Sequence, residues 1–175
     1  MKKVNNVVKG IFAAGLLVAS SIASAQWTVS GGYANYGEDD AGIDVSLGAI
    51  YASAGYEYTS GNITFMPELR LGVGVRDDIV RVFGERIDVE IDTFFAASIR
   101  GQYNVTESFG VFLQPTYARV EATASTSSGS VTEDEWELGF GGGASFSVTK
   151  DFRIEALYES FDEADVLSLG VRVNF

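Results

Sequence analysis

The sequence predicts an all-β protein, an eight-stranded antiparallel up-and-down β-barrel that crosses a membrane. Three observations predict it. Apolar and polar residues alternate with a period of two from residue 26 to the C-terminus, the connections between alternating runs are short and long by turns, and aromatic residues collect at the ends of the runs. A period of two is that of a strand with two unlike faces, and no stretch after Gln26 sustains the helical period.

The first 25 residues are a different kind of segment. Lys2, Lys3 and Lys9 precede an apolar stretch from Ile11 to Ser20, and Ala23-Ser24-Ala25 stands before Gln26. Positive residues, a short apolar core and a small-x-small triplet are the grammar of a secretory signal peptide. A membrane-spanning helix needs ~20 apolar residues, and this core is too short for one. Cleavage is expected between Ala25 and Gln26, leaving residues 26–175 as a single barrel domain exported through the periplasm.

Eight alternating runs follow, at roughly 26–36, 43–58, 63–75, 87–103, 109–122, 134–148, 152–161 and 166–175. In the third, Phe65, Leu69, Leu71, Val73 and Val75 oppose Thr64, Glu68, Arg70, Gly72 and Gly74. In the fourth, Ile87, Val89, Ile91, Thr93, Phe95, Ala97 and Ile99 oppose Asp88, Glu90, Asp92, Phe94, Ala96, Ser98 and Arg100. The sixth sets Trp136, Leu138, Phe140 and Phe146 against Gly139, Gly141, Gly143 and Ser145; the seventh sets Ile154, Ala156 and Tyr158 against Arg153, Glu155 and Glu159. Alternation in the second run slips near Gly48, where a bulge is expected. Most runs reach the ~9–11 residues that a tilted membrane strand needs.

The connections decide the topology. Residues 59–62, 104–108 and 149–151 are short turns, whereas 37–42, 76–86, 123–133 and 162–165 are longer or strongly charged. Short turns at one end and long loops at the other describe an outer-membrane barrel with its turns in the periplasm. At the short-turn end every strand offers an aromatic: Trp27, Tyr56 or Tyr58, Phe65, Tyr103, Phe109, Phe146, Phe152 and Phe175. Tyr33, Tyr117, Trp136 and Tyr158 form a second set nearer the loops. Two aromatic girdles are what a membrane's two interfaces select. A soluble barrel accounts for the alternation equally well but not for aromatics at strand ends.

Charge and composition remove whole classes of function. Loss of the three signal lysines leaves nine basic residues against 24 acidic ones, a net charge of −15, with Lys150 the one remaining lysine. Such a balance argues against nucleic acid as a partner. Histidine and cysteine are both absent, so Ser-His and Cys-His pairings cannot be built, nor can the usual zinc sites. No catalysis, cofactor or bound metal is expected. The loop acids Glu38, Asp39, Asp40, Glu133, Asp134, Glu135, Asp162, Glu163 and Asp165 offer oxygen ligands, but without the spacing and fixed glycine of an EF-hand they read as a solvated acidic rim.

Glu68, Arg70, Arg100, Arg153, Glu155 and Glu159 fall on the polar face of their strands and should meet in the lumen. An eight-stranded interior is just wide enough for side chains to fill. These six read either as a structural network of paired charges or as a gate of switchable salt bridges.

Three stretches resemble small OmpA-like outer-membrane barrel proteins: Asp44-Val45-Ser46-Leu47-Gly48-Ala49-Ile50-Tyr51 with Gly55-Tyr56-Glu57-Tyr58, Leu69-Arg70-Leu71-Gly72-Val73-Gly74, and Leu167-Ser168-Leu169-Gly170-Val171-Arg172-Val173-Asn174-Phe175. The resemblance implies residence in the bacterial outer membrane. It also implies a C-terminal assembly signal, carried here by Leu169, Val171, Val173 and Phe175 and read by the barrel-insertion machinery. No counterpart of the family's peptidoglycan-binding module is expected, so anchoring to the cell wall is not implied. The expected partners are outer-membrane lipid and lipopolysaccharide, and the barrel is expected to be a monomer. The function expected is a structural or surface-interaction role through acidic extracellular loops; the alternative is a narrow porin-like channel for small solutes. No ligand is legible in the loops.

Overall fold

The computed structural model describes residues 24–40, 43–82, 85–126, 129–162 and 164–175, so the expected signal peptide lies almost wholly outside the described residues. Nine strands are present among them: β1 (Ser24–Asp40), β2 (Ile43–Ser60), β3 (Ile63–Arg76), β4 (Asp78–Val82), β5 (Glu85–Asn104), β6 (Phe109–Thr126), β7 (Gly129–Ser147), β8 (Phe152–Ser160) and β9 (Asp165–Asn174). Eight of them close a barrel in which every neighbour is antiparallel; β3 pairs directly with β5, and β4 pairs only with β5 as a short flap on the rim. The first and last strands form the closing seam, from Thr28 opposite Asn174 to Gly37 opposite Asp165. The Phe175 N–H extends it by donating to the Trp27 carbonyl at 2.9 Å.

The barrel is inside-out relative to a soluble protein. Leu71 is 61 % exposed, while its neighbour Arg70 is 4 % exposed. The same inversion runs along β8, where Ile154 and Tyr158 face outward and Arg153, Glu155 and Glu159 are buried. A soluble barrel has to bury its aliphatic face, so exposed aliphatics around a polar interior define a wall made for hydrocarbon. The aromatic ends support this. At the short-turn end Trp27 meets Tyr56 edge-on at 5.0 Å, and at the other end Tyr117 stacks on Trp136 at 4.9 Å.

Each short turn has a local cause. Gly61 and Asn62 join β2 to β3, and Gly61 adopts φ +59°, a left-handed conformation that glycine accepts without strain. The β5–β6 and β7–β8 turns share a device. The Thr106 hydroxyl oxygen accepts from the amides of Ser108 and Phe109, and that of Thr149 accepts from Asp151 and Phe152.

Three expectations change. The stretch 76–86 is not simply a loop, because residues 78–82 and 85–89 pair as a hairpin. Residues 123–133 likewise continue β6 and β7 far up, pairing to Thr126 opposite Gly129. Their Ser, Thr and Val residues suit an extended ladder, which satisfies backbone groups that a long loop leaves to water. Thirdly, β5 carries a bulge between Ile91 and Thr93. Ile91 is therefore buried inside with Phe94 and Ala96, and Asp88 and Glu90 point out. The face predicted to run unbroken from Ile87 to Ile99 changes sides at Asp92. The slip expected in β2 is present as a register shift at Gly48/Ala49.

Candidate functional site in the lumen

Inward phase alone brings polar residues of all eight barrel strands together. Four glutamates (Glu57, Glu68, Glu155, Glu159) and four arginines (Arg70, Arg100, Arg153, Arg172) are buried there, so the charges balance. Isolated buried charge is very costly, and pairing with hydrogen bonding is what makes it tolerable.

The network is layered along the barrel axis. Nearest the short turns, Arg153 donates to Glu57 and, at 2.8 Å, to the Asn174 side-chain oxygen. Above it Arg172 is the hub. Its Nε donates to Glu155 at 2.9 Å, its Nη1 to the Thr28 hydroxyl at 2.9 Å, and its Nη2 to Glu68. Arg100 completes this layer, with Nη1 2.8 Å from Glu155 and Nε donating to Gln114 at 3.0 Å. In the third layer Arg70 donates to Glu159 at 2.7 Å, and Glu159 also accepts from the Thr116 hydroxyl at 2.6 Å.

Aromatic rings pack the guanidinium planes. Arg100 lies 3.9 Å from the centre of the Phe112 ring, and Arg70 lies 5.3 Å from that of Tyr51. Glycines make room for these rings. A Cβ at Gly143 would overlap Phe112, and one at Gly32 or Gly170 would overlap the Tyr51 hydroxyl, which crosses from β2 to the closing seam.

The plug separates two cavities. One of about 540 Å³ opens at the short-turn end around Glu57, Arg153 and Asn174. The other, about 240 Å³, lies at the long-loop end above Arg70 and Glu159. Arg172, Glu68, Glu155 and Arg100 line neither. A third concavity, about 610 Å³, lies on the outer wall around Ile50, Leu71, Val73 and Phe95, apart from the network.

All six lumen residues named from the sequence lie inside the barrel. Two charged members of the network were not among them. Arg172 stands between Val171 and Val173 in the last run, where apolar and polar residues alternate, so its inward phase was readable. Glu57 sits in β2, whose slip obscures phase. Leu169, Val171, Val173 and Phe175 line the outer face. Ala25 and Gln26 pair with Tyr58 and Glu57 at the start of β1. Among the described residues no group of three or more acidic side chains is placed to hold a metal ion. Glu163 and the side chains of Glu38, Asp39 and Asp40 lie outside the described residues.

A closed antiparallel barrel with an apolar belt outside and paired charges inside is an integral membrane β-barrel. The chain belongs to the outer membrane protein beta-barrel domain family, whose model matches residues 10–175. Comparison with curated proteins by sequence finds no match. Solved structures share the fold at low identity. Ail, the attachment invasion locus protein of Yersinia pestis, solved in complex with the heparin analogue sucrose octasulfate, aligns at TM-score 0.62 and 19% identity over 87% of this chain and 99% of its own. Neisserial surface protein A aligns at 0.61 and 16% over 87% and 99%. The N-terminal barrel domain of Pseudomonas aeruginosa OprF aligns at 0.53 and 15% over 87% and 100%.

Proposed function

We propose that the protein is a sealed barrel of the outer membrane that acts through its long-loop face, in a structural or surface-contact role, without catalysis. The observation that carries this reading is the division of charge. The lumen is neutral and closed, and the excess acid lies at one end. Apart from the four lumen glutamates, Glu107 and Asp151, every described acidic residue belongs to the long-loop end, opposed there by Arg76, Arg81, Arg86 and Arg119.

Such a face favours cations. Contact with lipopolysaccharide would run through divalent cations shared between its phosphates and the acidic rim. Sucrose octasulfate is a ligand of Ail, and a polyanion of that kind would be repelled here, so it is not carried over to this chain. Export by a signal peptide cut between Ala25 and Gln26, reading of the C-terminal strand by the insertion machinery, and a monomeric barrel belong to the same proposal.

The alternative is a narrow channel gated by the lumen pairs. Against it stands the burial of Arg172, Gln114 and Glu159, each at most 1 % exposed. Planar-bilayer recording of the pure protein tests the choice. The sealed reading predicts no discrete conductance steps; steps that change in Arg100→Ala or Glu155→Ala would favour the channel.

A further inference from the structure

The cavity at the long-loop end is left over when the plug has been accounted for. Leu47, Ile91, Phe94, Val120, Phe161 and Val166 make its walls apolar. Ile91 reaches it only because of the bulge that turns β5 over at Asp92. Glu133 and Glu135 also line it, two residues apart and thus on one face of β7. Neither holds an ion pair among the described residues. Arg70 lines the same cavity at its inner end. It is 4 % exposed, its charge is met by Glu159, and its Nε is a buried donor without a hydrogen-bond partner.

These features lie in a definite order along the barrel axis: a spare donor at the bottom, an apolar shaft, and uncompensated acid at the top. We infer that the cavity is a binding site for a small organic cation with an apolar body. The ammonium group sits beside Glu133 and Glu135, the body lies against the walls, and a hydrogen-bond acceptor at the inner end meets Arg70. The volume of about 240 Å³ falls below the ~300–1,000 Å³ of drug-sized sites, so the ligand is small. The charge complementarity selects its sign. An anion of the same shape would meet both glutamates without a counter-charge, whereas a cation keeps its partial hydration at the mouth and gains the attraction. The site draws Glu133 and Glu135 from the same acidic end as the proposed contact face, but it needs no lipid or surface partner and does not depend on whether the plug ever opens.

The test uses the protein refolded into phosphatidylcholine nanodiscs, with empty nanodiscs as the control for partition into lipid. Calorimetric titrations compare tyramine, which carries the cation, the ring and an acceptor, with 2-phenylethylamine, which lacks the acceptor, and 3-(4-hydroxyphenyl)propionate, which reverses the charge. The expected result is saturable one-site binding of tyramine, weaker binding of 2-phenylethylamine and none of the propionate. Glu133→Gln with Glu135→Gln should weaken tyramine about tenfold, the scale of two partly exposed ion contacts. Both residues are exposed, so the variant should keep the heat-modifiable migration of a folded barrel. Heat no greater than that of empty discs, equal binding of the propionate, or unchanged affinity in the double variant would overturn the site. Equal affinity for the two amines would overturn the inner hydrogen bond.

Discussion

Arg172 is held by Glu68, Glu155 and Thr28, and it is 1 % exposed. Replacing it with methionine leaves two buried carboxylates short of a counter-charge. Arg172→Met should therefore cost about 3–5 kcal/mol, read from urea unfolding of the refolded barrel. Removing both members of a pair is different, because no charge is stranded. Arg153→Met alone should be strongly destabilising, and Arg153→Met with Glu57→Leu should recover most of the loss; a double variant as weak as the single one would show that the pair itself stabilises the barrel. At the rim, Asp78 accepts from the amides of Ser46 and Ile79, which holds its carboxyl below the usual carboxylate range. A depressed value means that the contact is fully present above the ordinary carboxyl range and lost as pH falls through the depressed one. Protection of the Ser46 amide from hydrogen exchange should drop in acid in the parent chain and show no such drop in Asp78→Ala. The lumen residues were legible one at a time from alternation, because Glu68 and Arg70 alternate with the aliphatic Leu69 and Leu71. Which of them meet was not legible, since Arg70 and Glu159 are 89 positions apart and join only when the barrel closes.

At the scale of elements, the eight wall strands follow from the membrane itself. Hydrocarbon outside and paired polar groups inside impose one alternation on each strand, and that alternation can be read in the chain. The rule stops at the membrane boundary, which explains β5. Above Asp92 the outside is water and the inside is a packed mouth, so Ile91, Val89 and Ile87 turn inward and Asp88 and Glu90 outward. A one-residue bulge reverses the phase where the surroundings reverse polarity. The two changes cancel in the sequence, which therefore shows an unbroken pattern. The β4 flap and the upper ladder of β6 and β7 were illegible for a related reason: their residues have no hydrocarbon face to mark. The turns give a prediction at this scale. Thr149→Ala removes the acceptor for two turn amides and should cost about 1 kcal/mol without changing the fold, measured as a shift in the urea midpoint.

The whole molecule depends on its seam. Strand β9 pairs with both β8 and β1, and Phe175 continues the pairing with Trp27 while standing 74 % exposed at the aromatic end. Deleting Phe175 should reduce the amount of assembled barrel, with the chain degraded in the periplasm, rather than yield an inserted barrel with altered properties. Pulse-chase fractionation would separate these outcomes. The central claim is that the exposed apolar belt and neutral interior make an integral barrel of the outer membrane. Gel migration tests it most directly, comparing heated and unheated samples of detergent-extracted outer membrane. The protein should be found in that fraction and change its apparent mass on boiling, as a closed barrel opens. Recovery from the soluble periplasm with identical migration before and after boiling would contradict the account.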